Sequence, residues 1–169
     1  MKPSDPEFQE FAEAANLPLL RTARLLTGDW HLGQDLLQVT LTKVYLRWSQ
    51  ADRWDSPTGY ARTVMVNTYC TWHRRRWRHE LPRERLPDRA GERDTADTVA
   101  TTDALARALA DLPRRQRAAV VLRYYDDLSV EQAARALQCP PGTVMSLTFR
   151  ALARLRQSAD LHDTAVEGR

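Results

Sequence analysis

The chain has 169 residues, of which 43% are hydrophobic, and its formal net charge is +3. This length permits one domain or two small ones, and the apolar content excludes a chain that is disordered throughout. Only six glycines are present, and the abundance of alanine, leucine and arginine favours helix over strand. We therefore expect an all-α protein made of two small helical domains joined by a flexible linker.

Cysteine usage and hydropathy restrict the compartment. The two cysteines, Cys70 and Cys139, are far apart in sequence and lie in predicted helix or turn, so a disulfide framework is not expected. No apolar run near the start of the chain resembles a signal peptide, and none reaches the ~18 residues of a membrane-spanning helix. These features predict a cytoplasmic protein without a membrane partner.

The first domain is predicted over residues 7–78, with helices at about 7–27, 31–48 and 57–77. Apolar residues in the first helix recur at steps of three or four, and Pro18 is expected to kink or interrupt it. A loop at 49–56 follows the second helix, and Pro57 suits the first position of the third.

The apolar periodicity disappears between residues 79 and 102. Prolines and alternating charges fill this segment, which predicts a mobile linker. The second domain is predicted over residues 103–159, followed by a tail at 160–169.

A helix-turn-helix is predicted within the second domain. Ser129 and Gln132 have the spacing of a capping box at the start of a short helix. The run Cys139-Pro140-Pro141-Gly142 ends that helix, and a longer helix follows at about 143–157. In this motif the second helix enters the major groove of DNA. An ordinary helical hairpin is the alternative interpretation.

The predicted recognition helix is basic. It carries Arg150, Arg154 and Arg156 and no acidic residue, and arginine side chains neutralise phosphates. The residues near its N-terminal end, where base edges are usually reached, include Thr143, Met145, Ser146 and Phe149.

A second basic cluster ends the third helix. Residues 67–78 hold four arginines and no acid, with Tyr69, Trp72 and Trp77 among them. Arginines at this density bind phosphates, and aromatic side chains between them can stack on unpaired bases. The alternative is that the tryptophans belong to the core and the arginines are merely solvated.

Catalysis by the chain alone is not expected. Cys70, His73 and His79 have the spacing of metal ligands, but a structural zinc site usually needs four ligands, and two of these residues lie in the basic cluster. No nucleophile motif, phosphate-binding loop or dinucleotide loop is present. We expect neither an enzyme nor a bound cofactor or metal.

The order of these elements resembles one family. The resemblance rests on runs in both halves of the chain: Leu25-Leu26-Thr27-Gly28-Asp29, Asp35-Leu36-Leu37-Gln38, Leu112-Pro113-Arg114-Arg115-Gln116-Arg117, Val121-Leu122-Arg123-Tyr124-Tyr125 and Gly142-Thr143-Val144. From about Phe8 to Arg156 the chain resembles the extracytoplasmic-function (ECF) sigma factors of bacterial RNA polymerase, and among them the actinobacterial SigE type.

The resemblance implies a sigma factor that binds core RNA polymerase and directs promoter-specific transcription initiation. The first domain would be sigma region 2, which docks on the polymerase clamp helices and reads and opens the minus-ten promoter element. The second would be sigma region 4, which reads the minus-thirty-five element and meets the polymerase flap. Members of this family often have an anti-sigma partner.

The resemblance also implies roles for individual residues. Those assigned to polymerase binding are Asp35, Leu36, Gln38, Leu41, Lys43 and Trp48. Those assigned to the minus-ten DNA are Arg53, Trp54, Asp55, Ser56, Tyr60, Arg62, Asn67, Trp72, Arg74, Arg75 and Arg76. Those assigned to the minus-thirty-five DNA are Arg115, Arg117, Thr143, Met145, Ser146, Phe149, Arg150 and Arg154.

The chain departs from the family pattern at a few positions. Val39 stands where an acidic residue is usual, and Met145 and Leu147 stand where the recognition helix usually carries polar or basic residues. The last two leave three alternatives: weak binding of the upstream element, contact with thymine methyl groups, or a surface covered by a protein. Gln138 replaces a usual glycine, and we expect this change to cost little.

Two other functions compete with the sigma-factor hypothesis. One is a stand-alone helix-turn-helix regulator that never contacts polymerase. The other is an enzyme acting on nucleic acid, with the basic cluster as its substrate groove. The absence of a catalytic motif in the sequence argues against the enzyme.

Overall fold

A computed structural model describes residues 6–76 and 95–167, with side chains described for 6–72 and 95–159. Its α-helices are α1 (Pro6–Thr27), α2 (Trp30–Leu46), α3 (Pro57–Arg76), α4 (Ala96–Leu109), α5 (Arg114–Val120), α6 (Val130–Leu137) and α7 (Pro141–Glu167). A 3-10 helix spans Trp48–Arg53 and a π-helical turn spans Val121–Tyr125. These two ranges contain no strand, which confirms the all-α expectation.

The first domain consists of α1, α2 and α3, and its core is a layer of fully buried side chains between these helices. Leu19, Leu36 and Met65 are each 0% exposed. Gly33 lets α1 and α2 approach closely, because an added Cβ there would lie 3.2 Å from the backbone nitrogen of Arg24. The angle between α1 and α2 is fixed by this close approach and by the large apolar side chains that pack between the two helices.

Pro18 was expected to kink or interrupt α1; the helix runs through this residue without interruption, so the second of these expectations is wrong. Pro18 lies on the exposed side of the helix, as does Ala14. The carbonyl of Ala14, which loses its helical partner at the proline, therefore faces water and needs no protein donor.

The second domain consists of α4 to α7, with Leu122, Ala133, Val144 and Ala151 in its core. The predicted capping box is confirmed at α6: Ser129 Oγ accepts from the Gln132 nitrogen at 3.1 Å, and the Ser129 nitrogen donates to Gln132 Oε1 at 2.8 Å. The helix-turn-helix is confirmed as α6, a short turn and α7.

α4 begins at Ala96, inside the segment predicted to be linker, so the predicted extent of that linker is wrong. Thr95 caps the helix by accepting from the Thr98 nitrogen. Thr102 is 1% exposed, and its hydroxyl donates to the Thr98 carbonyl at 2.8 Å. Because threonine occupies this buried position, apolar periodicity did not reveal the helix. Residues 79–94 lie outside the described residues, so their mobility stays a prediction.

The last helix is longer than predicted. α7 begins at Pro141 and continues to Glu167, well beyond the expected end near Gln157. Within the described residues, no helix combines the length and the apolar content needed to cross a membrane. Cys70 and Cys139 are both free thiols.

The two domains pack directly against each other. α4 and the π-helical turn contact α1, and α6 contacts α3. The π-helical turn continues α5 and ends with the Asp126 nitrogen donating to the Val121 carbonyl at 2.9 Å. Asp126 is thereby placed at the surface of the second domain that meets the first.

Candidate functional surfaces

The exposed side of α2 carries most of the residues assigned to polymerase. Asp35, Gln38 and Lys43 are exposed, while Leu41 and Trp48 are half-buried. The Lys43 ammonium donates to Thr68 Oγ1 at 2.9 Å, which holds it against α3. Asp35 and Gln38 therefore remain accessible on this side of α2.

Leu36 is an exception among these assignments. Its side chain is 0% exposed, so it cannot contact another protein while the domain keeps this fold. The assignment of Leu36 to direct polymerase contact is therefore corrected: it packs in the core beneath the α2 surface.

The loop that precedes α3 rests on stacked aromatic rings. Trp54 stacks on Tyr60, with ring centroids 3.9 Å apart and planes 18° apart. Trp48 meets the edge of Trp54 at 6.0 Å. Ser56 Oγ accepts from the Gly59 nitrogen at 3.1 Å and caps α3. The stacked rings and the helix cap thus hold the loop in place, while Arg53, Asp55 and Ser56 stay exposed.

The residues of the basic cluster at the end of α3 differ in how deeply they are buried. Tyr69 is 2% exposed, so the prediction that it can stack on a base is wrong and it is a core residue. Asn67 and Trp72 are half-buried. The side chains of Arg74, Arg75 and Arg76, and all of Trp77, lie outside the described residues.

The exposed side of α7 carries the residues assigned to the upstream DNA. Met145 is 61% exposed and Phe149 is 74% exposed. Residues on the same surface that are also exposed are Ser146, Arg150 and Arg154, and Thr143 is half-buried. Leu147 is half-buried and packs against the core. Of the two unusual apolar positions, Met145 therefore faces outwards and Leu147 does not.

Arg115 and Arg117, both assigned to the upstream DNA, have different surroundings. Arg115 is exposed. The Arg117 guanidinium donates to the carbonyls of Leu26, Ala110 and Leu112 at 3.0, 2.6 and 3.3 Å. With its donors used in this way, Arg117 holds the loop before α5 and the end of α1 together, and in this arrangement it is not available to a phosphate.

Polar contacts between the domains form a set that the sequence did not predict. We call this set the domain interface. Its pairs are Thr22–Asp126, Arg62–Asp126, Arg24–Asp103, Trp30–Asp103, Arg114–Tyr69 and Arg117–Leu26. No pattern of spacing marks these residues, because each pair joins positions that are distant in the chain.

Two carboxylates are central to the domain interface. Asp103 lies 3.0 Å from the Arg24 guanidinium and accepts from Trp30 Nε1 at 2.9 Å. Asp126 accepts from Thr22 Oγ1 at 2.8 Å and lies 3.5 Å from Arg62 Nε. Burial raises the pKa of Asp126, against the opposing effects of the Arg62 charge and the Thr22 hydrogen bond.

The side chains of His73 and His79 lie outside the described residues, so their grouping with Cys70 is not tested by the structure. Among the described side chains, no three histidine, cysteine or acidic residues come together. Burial raises the pKa of the Cys70 thiol, although Arg115 and Arg114 act in the opposite direction. The thiolate that would bind a metal is therefore disfavoured.

These surfaces define the class of two-domain helical proteins that present a basic helix-turn-helix. A family model described as Sigma-70 region 2 matches residues 14–79, and a model described as Sigma-70, region 4 matches residues 102–155. The region 2 match falls on the first domain and the region 4 match falls on the second.

Similar proteins support the same class. The RNA polymerase sigma-E factor of Streptomyces avermitilis is 41% identical over 164 residues, covering 95% of this chain and 91% of that protein. The ECF RNA polymerase sigma factor SigM of Mycobacterium tuberculosis is 31% identical over 160 residues, covering 94% and 80%. The sigma factor RpoE of Bartonella quintana, solved in complex with the anti-sigma factor NepR, has a TM-score of 0.61 at 26% identity, covering 88% and 96%.

The chain belongs to the ECF sigma factors of the sigma-70 family. It is a transcription-initiation factor that binds core RNA polymerase and promoter DNA, and it is not an enzyme. This conclusion favours the sigma-factor hypothesis over that of a stand-alone helix-turn-helix regulator.

Proposed function

We propose that the exposed side of α2 is the surface that docks on the clamp helices of core polymerase. Asp35 and Gln38 support this assignment because both residues are exposed. Val39 is half-buried, so the acid that is usual at this position is replaced by a residue that partly packs inwards. The docking surface then relies on one carboxylate.

The loop Arg53–Ser56 is proposed to receive a base that leaves the promoter duplex at the minus-ten element. A flipped base needs a pocket and hydrogen-bonding groups around it. The Trp54–Tyr60 stack supplies a rigid floor, and the exposed Arg53, Asp55 and Ser56 supply polar groups at its rim. Arg74, Arg75 and Arg76 follow on α3 and are proposed to hold the phosphates beyond the loop.

α7 is proposed to enter the major groove at the minus-thirty-five element. The single observation that carries this assignment is its exposed surface, which combines Ser146, Arg150 and Arg154 with the apolar side chains of Met145 and Phe149. The arginines contribute phosphate contacts, and the apolar pair suits thymine methyl groups or the apolar side chains of a protein.

A regulatory protein partner is part of the proposal. RpoE of Bartonella quintana was solved with the anti-sigma factor NepR, and we extend a partner of that kind to this chain. The exposed apolar pair on α7 supports the extension, because such a pair is a surface that a protein can cover. We place the activity in the cytoplasm, where polymerase and promoter DNA are found.

Run-off transcription tests the proposed function. Core polymerase from Streptomyces avermitilis, mixed with this chain and a promoter pool randomised at both elements, should yield transcripts with fixed start points. Core polymerase alone provides the background. A folded chain that adds no discrete start point to that background would contradict the proposal.

A further inference from the structure

The segment that leads into the proposed base-binding loop has little of its own to hold it in place. The loop Arg53–Ser56 follows the 3-10 helix at Trp48–Arg53, in which no residue is buried and no side chain caps the first turn. A 3-10 helix has poorer hydrogen-bond geometry than an α-helix and is stable only in short pieces. The position of this segment is therefore set by contacts with the rest of the first domain.

Aromatic rings at the two ends of the 3-10 helix make these contacts. Trp48 is its first residue, and its ring meets the edge of the Trp54 ring with centroids 6.0 Å apart. Trp54 directly follows the helix and stacks on Tyr60 of α3 at 3.9 Å. This stack and the Ser56 cap fix the far end of the loop to α3, whereas the near end depends on Trp48.

α1 supplies the rings against which Trp48 rests. The Phe8 ring lies 5.2 Å from the Trp48 ring with planes 75° apart, and the Phe11 ring lies at the same distance with planes 30° apart. Phe8 also contacts Tyr45 of α2 at 4.8 Å. Ring pairs at these distances attract each other beyond the effect of burying their surface. We call the continuous series that runs from α1 to α3 the aromatic row: Phe8, Phe11, Trp48, Trp54 and Tyr60.

Neither phenylalanine belongs to a surface assigned to polymerase or to DNA. Both are half-buried on α1, and the ring contacts that join them to the loop pass through Trp48. The aromatic row thus has the base-binding loop at one end and two residues without an assigned role at the other.

We propose that Phe8 and Phe11 are positioning residues for capture of the minus-ten base: through Trp48 they hold the loop Arg53–Ser56 in the conformation that receives it. Neither ring touches the base. Without them Trp48 loses its support, and the loop must be ordered at the moment the base binds, which lowers affinity. Contacts with the DNA backbone do not pass through the aromatic row and are unaffected. The proposal rests on the proposed role of the loop.

The test uses holoenzyme assembled from core polymerase and the full-length chain. The probe is the single strand of the minus-ten element from a promoter recovered in the run-off experiment, with and without one abasic site. A scan of abasic positions in wild type identifies the captured base as the one whose removal weakens binding most. The expected loss there is about tenfold, the size of one lost base–aromatic stack.

The informative variant is Phe8→Leu combined with Phe11→Leu, which removes both rings and keeps apolar side chains. Its affinity for the intact strand should fall about tenfold, whereas its affinity for the abasic strand should equal that of wild type. Phe8→Tyr with Phe11→Tyr keeps both rings and should bind both strands as wild type does. Leu20→Ala, which removes a half-buried apolar side chain further along α1, is the control for lost packing and should also bind like wild type.

A second variant covers the case in which the double leucine variant loses its helical circular dichroism. Phe11→Leu alone is then measured, because Phe8 keeps its own contact with Trp48. A smaller loss of affinity, again confined to the intact strand, is the expected result.

Two results would overturn the proposal. One is an unchanged affinity of the folded leucine variants for the intact strand. The other is an equal loss on the intact and abasic strands, which would make the two rings ordinary core residues. If no abasic site weakens wild-type binding, base capture by the loop itself fails and the proposal falls with it, a result distinct from capture that is insensitive to the α1 rings.

Discussion

The Thr22 hydroxyl donates a hydrogen bond of 2.8 Å to the Asp126 carboxylate, and the two residues belong to different domains, 104 positions apart. The Asp126 side chain is only 5% exposed, so this hydrogen bond and the Arg62 charge are what compensate the carboxylate for its loss of water. Burial has the larger effect and raises the pKa of Asp126 above its ordinary value of 3.8. The packing of the two domains against each other is consequently linked to protonation of the Asp126 carboxyl.

We expect the closed arrangement, in which the two domains pack against each other, to become more stable as the pH falls. Asp126 has a raised pKa when the domains are closed and an ordinary pKa when it meets water, so closing takes up a proton between these two values. This contribution is complete below the ordinary pKa and is lost as the pH rises through the raised one.

Scattering at a series of pH values that descends from neutral towards the ordinary pKa of 3.8 checks this linkage. The radius of gyration of a partly open population should shrink towards the lower pH. Asp126→Asn, which cannot titrate, should remove the dependence, and Asp127→Asn at the exposed neighbouring position should keep it. The same pH dependence in wild type and Asp126→Asn would assign the effect to another group.

Gln138 ends α6 in the left-handed conformation, with φ of 52°. Glycine adopts this conformation without the steric cost that a Cβ brings, so we expect Gln138→Gly to stabilise the second domain by about 1 kcal/mol. Thermal unfolding measures the change. Arg135→Gly, at an exposed position inside the same helix, should instead lower stability by about 1 kcal/mol. A destabilising Gln138→Gly would show that the side chain has a role the backbone does not reveal.

The α2 surface is tested by Asp35→Ala together with Gln38→Ala. Both side chains are exposed, so the double variant should keep its helical signal while its affinity for core polymerase falls about tenfold, a loss of about 1.4 kcal/mol. The matched control is Gln9→Ala with Glu13→Ala, which removes one glutamine and one acid from α1. Equal polymerase affinity for the two double variants would refute the docking assignment.

Met145 and Leu147 are now expected to behave differently. Met145→Lys adds a cation to the exposed side of α7, so it should raise affinity for generic duplex DNA and steepen the salt dependence by about one unit. Leu147→Gln partly buries an amide and should instead lower stability by about 1 kcal/mol. Leu105→Lys, at an exposed apolar position of α4, should leave the salt dependence of DNA binding unchanged. An unchanged slope for Met145→Lys would mean that this surface does not meet DNA.

Local signals predicted the helices well where apolar residues repeat or a capping residue is present. The Ser129–Gln132 box placed the start of α6, and Pro57 placed the start of α3. The start of α4 was missed because the first of its buried positions is a threonine, whose hydroxyl bonds within the helix. The break at Pro18 was wrong because the carbonyl it frees lies on the exposed side of α1.

The sequence predicted which helices carry the candidate surfaces, but it did not predict every residue that is exposed on them. Arginine runs and family motifs identify which helices carry function, but they do not show which side of each helix is buried. Leu36 and Tyr69 were misjudged for this reason. The Arg24–Asp103 and Thr22–Asp126 pairs have no local signal at all, because they exist only once the two domains are packed together.

The π-helical turn at Val121–Tyr125 sets the direction in which the Asp126 side chain leaves the second domain. A π turn accommodates one more residue than the α-helix around it, and Asp126 follows immediately, with its nitrogen bonded to the Val121 carbonyl. Losing one residue from the turn would rotate Asp126 by about 100° around the helix axis. The carboxylate would then lie on another side of the helix, away from Thr22 and Arg62, and the second domain would lose both of these contacts with the first.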